Sequence, residues 1–383
     1  MHIIRPLDIN IIKTGYIIEN LGILCSSDRL GIKKLLSLSY TALKSNFVSL
    51  DKPYKLNFAI TMHCQSRCLT CNIWQLKPAG ELTLEEIREF ARKNNYFKWI
   101  EITGGEPFLR SDIVDIVRAF RDSSKDLYIV TIPTNSLTNP DVIVKRVKEI
   151  LELGIPRLVL TLSLDGYREL HDKIRGVPGN YDRVINLYRR LSEVRKEHKG
   201  LDFLFGYTMS SYNSNQLMET LKRIKEELPE LNNNDFHINL AQESDNYYHN
   251  QGAGSFKVYG EGTAREIEEL IKTRRFEMDP AQIVEGAFLK KLAAFARTGQ
   301  APLRSRSLEV SVYIDNMGDI YPSIMWNKKI GNLREIGFDL SKVWNSEEAK
   351  EVRRVRREGM EPVQWTSCEA YQSLTGDIPK LIF

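Results

Sequence analysis

Cysteine is scarce in this chain. There are five in 383 residues, and three of them (Cys64, Cys68 and Cys71) fall within eight positions, with Cys25 and Cys368 standing alone. An odd, clustered set makes a poor disulfide framework. No uninterrupted apolar run approaches the ~20 residues of a membrane span. The opening decapeptide, MHIIRPLDIN, lacks the apolar core and cleavage site of a secretory signal. Neither sign of charge dominates: 54 Lys plus Arg against 50 Asp plus Glu leaves +4, so no nucleic acid partner is expected. Glycine (23) and proline (14) are too few for a collagenous or low-complexity chain. No repeat of fixed period is present. These absences leave a cytoplasmic protein with reduced thiols, long enough to bury a sizeable core. Cys25 reads as a small buried hydrophobe.

What is present is a rhythm. Strands are predicted over Leu56–Thr61, Trp99–Thr103, Leu127–Ile132, Arg157–Leu164, Phe203–Met209 and Asp235–Leu240. Helices are predicted between them: Thr83–Lys93, opened by the T-x-x-E box of Thr83 and Glu86, then Ser111–Phe120, Pro140–Leu153, Tyr181–Lys196 and Ser214–Leu228. Six β–α repeats with near-continuous apolar strands predict an α/β fold with a parallel sheet buried on both faces. A barrel, a partial barrel and an open doubly wound sheet all satisfy the pattern. Each places ligands beyond the C-terminal ends of its strands.

Four stretches follow. Residues 1–54 form an N-terminal helical segment, with Ile32, Leu35, Leu36, Leu43 and Phe47 on one stripe of a helix over Arg29–Phe47. Residues 55–242 carry the repeats. Residues 243–299 hold a polar, Tyr-rich loop and two helices, Ala264–Arg275 and Ala281–Arg297. Residues 300–383 read as a small appended module with a hairpin over Val310–Tyr321 and a basic helix over Ser346–Arg357.

Cys64, Cys68 and Cys71 form C-x3-C-x2-C directly after the first strand. Thiolates this close in one loop can converge on a metal ion or an iron–sulfur cluster. A closed zinc site takes four ligands and would recruit the adjacent His63. A 4Fe–4S cluster on three thiolates leaves one iron open. Three inert buried cysteines are the remaining alternative.

This pattern resembles the radical SAM superfamily, and three further motifs carry the resemblance. Gly104-Gly105-Glu106-Pro107 follows the second strand and resembles the family's GGEP element. Thr134-Asn135 follows the third. Ser163-Leu164-Asp165-Gly166 ends the fourth and leads to His171-Asp172-Lys173-Ile174-Arg175-Gly176. The resemblance implies a partial (β/α)6 TIM-type barrel with a small α+β C-terminal extension. It implies one 4Fe–4S cluster on Cys64, Cys68 and Cys71. It also implies S-adenosylmethionine held by Thr70, Gly104, Gly105, Glu106, Pro107, Thr134, Asn135, Ser163, Asp165 and Arg175. Thr70 departs from the aromatic that many members carry before the third cysteine. The implied activity is reductive cleavage of S-adenosylmethionine to a 5′-deoxyadenosyl radical that abstracts hydrogen from a substrate. An electron donor such as flavodoxin or ferredoxin is the implied partner. The motif requires no catalytic protein base, and none is named.

The tail resembles the SPASM-type extension of radical SAM enzymes, through Tyr313–Pro322, Ile330-Gly331-Asn332-Leu333 and Val343-Trp344-Asn345-Ser346. Its auxiliary-cluster cysteines are mostly missing. Ser323, Glu361 and Gln364 stand where cysteines are expected, leaving Cys368 as the remnant of a second site. A single cluster and a redox-neutral outcome are therefore expected. Tyr247–Asn250 reads as loop packing or a substrate contact. The stripe of Lys350, Arg353, Arg354, Arg356 and Arg357 reads as a solvated helix face. The N-terminal helix suits peripheral contact with a membrane's inner face, which inclines the substrate toward a cell-envelope glycan or lipid. Peptide modification and a non-catalytic iron–sulfur or metal-binding scaffold are the alternatives.

Overall fold

The computed structural model describes residues 26–252 and 256–376; Cys25 and the opening decapeptide lie outside them. Helix α1 spans Ser26–Lys44. It is followed by β1 Lys55–Thr61, α2 Leu84–Lys93, β2 Trp99–Gly104, α3 Ile113–Ser123, β3 Ile129–Thr134, α4 Pro140–Glu152 and β4 Arg157–Ser163. Then come α5 Glu169–Arg175, α6 Asn180–Glu197, β5 Leu201–Met209, α7 Leu217–Glu227 and β6 Phe236–Leu240. After a long loop the chain makes α8 Glu261–Thr273, α9 Pro280–Thr298, β7 Ser311–Ile314, β8 Asp319–Tyr321 and β9 Gly331–Asn332. The described residues close with α10 Ser341–Trp344, α11 Glu347–Arg357 and α12 Ser367–Thr375.

The six expected strands pair in parallel, in sequence order. The fold is α/β, a partial (β/α)6 barrel. The Thr83 and Glu86 capping box forms as expected and opens α2. Strand β3 begins two residues later than predicted, because the Leu127 N–H closes a turn on Ser124 before pairing starts at Ile129.

The strands are less uniformly buried than their sequences suggest. In β4 and β5 fully buried and partly exposed residues alternate. Leu158, Leu160 and Leu162 are buried, as are Phe203, Phe205 and Tyr207. The alternate positions (Thr161, Ser163, Gly206, Thr208) are small or polar and line a cavity on the other face. Period two survives in a parallel strand because one face lines a site.

Two features were not anticipated. First, the hairpin does not stand apart: β7 pairs in parallel with β1, and β8 and β9 follow antiparallel, so one nine-stranded sheet runs β6-β5-β4-β3-β2-β1-β7-β8-β9. Second, α12 reaches polar side chains of the first two strands. Lys55 Nζ on β1 donates to the Cys368 carbonyl (2.6 Å), and Asn57 Nδ2 donates to Glu369 Oε1 (2.9 Å). Tyr371 stacks on Trp99 of β2, with ring centroids 6.1 Å apart.

The basic stripe of α11 is only partly solvated. Lys350 and Arg354 pair with exposed carboxylates of their own helix. Arg356 is fully buried and paired with Glu309, and Arg353 lies over the Trp344 ring at 4.7 Å. Of the stripe expected over Arg29–Phe47, Leu36, Leu43 and Phe47 are exposed, as is Tyr40, and Phe47 lies beyond the end of α1.

Candidate active site

At the C-terminal ends of the strands lies a cavity of about 250 Å³. Cys64, Cys68, Cys71, Thr70, Gly104, Gly105, Thr134, Asn135, Ser163, Asp165 and Arg175 all line it. Glu106 and Pro107, expected among the cofactor contacts, do not.

The cysteine loop is held from two sides. On one side, Gly105 N–H donates to the Thr61 carbonyl and Glu106 N–H to the His63 carbonyl, both at 2.8 Å. Only glycines permit this approach: a Cβ on Gly104 would stand 2.0 Å from Thr61 O, and one on Gly105 would stand 2.2 Å from His63 O. On the other side, Arg67 N–H and Leu69 N–H donate to the carbonyls of Arg175 and Ile174, both at 2.9 Å. These carbonyls end α5, where Gly176 turns at φ +67°.

Glu106 sits behind the wall. Its carboxylate accepts from Asn135 N–H (2.7 Å), Thr134 Oγ1 (3.0 Å) and Phe108 N–H (3.2 Å), joining the ends of β2 and β3. Burial pushes its pKa up to about 7. Its part is to shape the Gly104–Gly105 and Thr134–Asn135 corners.

The segment His171–Gly176 divides its work. Arg175 forms a 2.6 Å ion pair with Asp165, whose other oxygen accepts from Thr208 N–H at 2.9 Å. His171 is fully buried. Its Nδ1 accepts from Asp165 N–H (3.0 Å), so Nε2 carries the proton to Asn180 Oδ1 (3.0 Å), and Asn180 Nδ2 donates to the Asn135 carbonyl (2.9 Å). Burial, then the nearby Arg175 charge, lowers the His171 pKa to about 3, which keeps the ring neutral for this relay. Asp172 accepts from Gly179 N–H and Tyr181 N–H and fastens the start of α6. Thus His171 and Asn180, which sequence reasoning did not assign, position Asp165 and Asn135.

The loop after β6 covers the mouth. Tyr248 O accepts from Asn72 N–H (2.9 Å), and Asn250 Nδ2 donates to Thr70 O (2.8 Å), stitching Tyr247–Asn250 to the cysteine loop. Tyr247 and Tyr248 line the cavity, and the Tyr247 hydroxyl meets Thr103 Oγ1 at 2.5 Å. Trp74 also lines it, an aromatic three residues past Cys71 that sequence reasoning passed over.

The expected auxiliary-cluster positions carry hydrogen-bonding side chains in place of thiols. Ser323 Oγ donates to Gln364 Oε1 at 3.1 Å, both side chains being buried. Glu361 accepts from Ser305 N–H. Cys368, expected as the remnant of a second site, lines the main cavity.

Residues 58–224 match the radical SAM superfamily. The chain carries a radical SAM domain. Members of this family are S-adenosylmethionine-dependent enzymes. The AdoMet-dependent heme synthase of Methanosarcina barkeri is 30% identical over 46% of this chain and 48% of its own length. A probable GTP 3′,8-cyclase of Archaeoglobus fulgidus is 28% identical over 44% of this chain and 53% of its own. The chain therefore spans about half the length of the curated relatives it matches. The radical SAM domain and its surroundings share their fold with two solved structures. Native anSMEcpe with bound AdoMet has a TM-score of 0.58 at 14% identity, covering 86% of this chain and 98% of that one. SuiB of Streptococcus suis bound to S-adenosylmethionine has a TM-score of 0.55 at 19% identity, covering 90% and 78%.

Proposed function

We propose that this protein is a radical SAM enzyme that cleaves S-adenosylmethionine reductively and abstracts hydrogen from a substrate held in the same cavity. One observation carries the reading: the three clustered cysteines and the motif residues of β2, β3 and β4 line one space.

The donor set fits an iron–sulfur cluster. Among the described residues, no three or more His, Cys, Asp or Glu side chains gather closely enough to hold a single ion. The three thiols suit a larger body, because a cluster spaces its thiolates more widely than one ion does. His63 is exposed and outside the lining, so the zinc alternative lacks its fourth ligand. Asn135 Nδ2 approaches Cys64 Sγ (3.6 Å) and Arg175 Nη1 approaches Cys68 Sγ (3.7 Å), donors that suit thiolates. Burial raises the Cys64 thiol to about 11, so holding it as thiolate calls for bound positive charge. When bound, a 4Fe–4S cluster on these cysteines supplies the electron that splits S-adenosylmethionine into methionine and a 5′-deoxyadenosyl radical. The protein's own residues do the rest. Gly104 and Gly105 offer backbone to the methionyl group. Asn135, Ser163, Asp165 and Arg175 offer polar partners on the neighbouring strand ends, and Tyr247 and Tyr248 close the mouth against water.

The substrate half is lined by hydroxyls and amides (Thr161, Thr208, Asn239, Gln242, Thr366). Among the described residues, the cavity's one lining Lys or Arg, Arg175, is paired with Asp165. That lining supports a polyhydroxylated or amide-bearing substrate, such as a cell-envelope glycan, over a polyphosphate. The exposed stripe of Leu36, Tyr40, Leu43 and Phe47 supports peripheral contact with a membrane's inner face in the cytoplasm. No described helix is long and apolar enough to cross one. A second reading, peptide modification, draws on the solved relatives, since anSMEcpe and SuiB are both recorded with bound peptides. Flavodoxin or ferredoxin is the proposed electron donor, and the serine, glutamate and glutamine at the SPASM-like positions support a single cluster.

The test is anoxic reconstitution with iron and sulfide, followed by dithionite and S-adenosylmethionine. 5′-Deoxyadenosine is expected, and Cys64→Ala, Cys68→Ala or Cys71→Ala should abolish it. A reconstituted protein that binds iron but forms none is a scaffold, and the reading fails.

A further inference from the structure

Cys368 enters the cavity on the first turn of α12, far from the other three described cysteines in sequence. Those three serve as cluster ligands in the reading above; Cys368 is the fourth thiol on the lining. Its Sγ donates to Glu101 Oε1 at 2.8 Å. Glu101 is tied in turn to the fully buried Lys55, 3.2 Å from its other oxygen. Lys55 also donates to the Cys368 carbonyl at 2.6 Å and lies over the Trp99 ring at 4.1 Å. The thiol is thereby fixed in place by both its backbone and its hydrogen.

A second observation indicates that this wall meets a ligand. Thr366, two residues before, lines the cavity, is 4% exposed, and its hydroxyl has no hydrogen-bond partner. A buried hydroxyl without a partner costs stability unless something in the cavity satisfies it.

The groups facing the sulfur are Glu101 from β2, Lys55 from β1, Glu369 from its own helix, and Tyr247, Tyr248 and Tyr313 from the cover and β7. Burial, then the Glu101 charge, pushes the thiol well above its ordinary range, so the sulfur keeps its hydrogen at neutral pH. An S–H bond is weaker than most C–H bonds, so a protonated thiol beside a carbon radical is a hydrogen-atom donor.

We propose that Cys368 delivers a hydrogen atom to a carbon radical formed in this cavity, with Glu101 as the positioning residue that anchors its sulfur on the cavity wall. The inference rests on the radical reading above. The transfer balances simply. The S–H bond breaks homolytically and a C–H bond forms, leaving a closed-shell product and a thiyl radical on Cys368. One electron from a low-potential one-electron reductant, an iron–sulfur or flavin protein, and one proton from water restore the thiol. The substrate is neither oxidised nor reduced overall, so the outcome is a hydrogen removed and one returned, as in an epimerisation.

Two measurements test this on the full chain. In deuterated buffer, dithionite and S-adenosylmethionine alone give 5′-deoxyadenosine whose radical carbon is quenched inside the cavity. Wild type should carry one solvent deuterium in most of that product, whereas in Cys368→Ala and Cys368→Ser the labelled fraction should fall at least about tenfold. A wild type that forms no 5′-deoxyadenosine sinks the radical reading, and this inference with it. Product without deuterium, or deuterium kept in both variants, sinks this inference alone. The second measurement needs no cluster: iodoacetamide labelling of the cluster-free protein at pH 8, mapped to the Cys368 peptide. Glu101→Gln should speed labelling about tenfold, the effect of lowering a thiol pKa by one unit. An unchanged rate removes Glu101 from its positioning role and overturns that part of the proposal.

Discussion

Replacing Arg175 by Met removes a charge whose partner cannot follow it into water. The Asp165 side chain is 3% exposed and that of Arg175 14%, with 2.6 Å between Nε and Oδ2. After the change Asp165 keeps one hydrogen bond, from Thr208 N–H, and loses its counter-charge. Breaking a buried pair on one side costs about 3–5 kcal/mol, mostly the penalty of the stranded ion. For a chain of this length, at roughly 2 °C per kcal/mol, the melting temperature should fall by roughly 6–10 °C. Asp165→Asn/Arg175→Met should recover a large part of that loss, because no charge is left stranded. Urea denaturation of the four proteins in the double-mutant cycle gives the coupling directly. The reasoning fails if Arg175→Met is as stable as wild type. It also fails if the double variant is no more stable than Arg175→Met, for then the cost is lost packing and not a stranded carboxylate.

Three further outcomes are expected. Gly176→Ala should destabilise the protein by at least about 2 kcal/mol and lower iron retention, because its Cβ would meet Arg67 O at 2.5 Å in a left-handed turn; normal iron content in a stable variant would show that the loop tolerates displacement. Purified anoxic protein should carry about four irons, and a reproducible value near eight would restore an auxiliary cluster. Burial raises Glu369 to about 7, so the unfolded chain ionises first as pH rises from about 4.5. Its contribution is therefore full below that value and lost as pH rises through about 7, and Glu369→Gln should flatten this decline in urea titrations between pH 4.5 and 7. An unaltered pH profile in that variant would mean another group controls the slope.

The parts of the site that could be read in advance are those written locally. C-x3-C-x2-C, Gly104–Pro107 and His171–Gly176 each sit within a few residues of a strand end, and the sheet brings strand ends together by rule. Even there, spacing did not distinguish lining from support. Glu106 faces a wall, and His171 acts through Asp165, because which way a side chain turns depends on neighbours the motif does not contain. The larger surprises are long-range. The bond from Lys55 to the Cys368 carbonyl spans 313 positions, and that from Asn57 to Glu369 spans 312. Short-range periodicity carries no trace of such pairs. It rendered α12 as part of an appended module and Arg356 as a solvated charge, when Arg356 is buried and paired with Glu309 of the turn before β7.

The parallel pairing of β7 with β1 also sets an order of events during synthesis. Strand β1 waits for residues 311–314 before it has its second neighbour, and Lys55 and Asn57 wait for Cys368 and Glu369 before their polar ends are satisfied. A nascent chain that has only the six parallel strands therefore carries an open edge and unpaired polar groups. Its cysteine loop already exists, but the wall opposite does not. The site becomes whole only when α12 leaves the ribosome, so truncation within α12 should cost the protein far more than a frayed end.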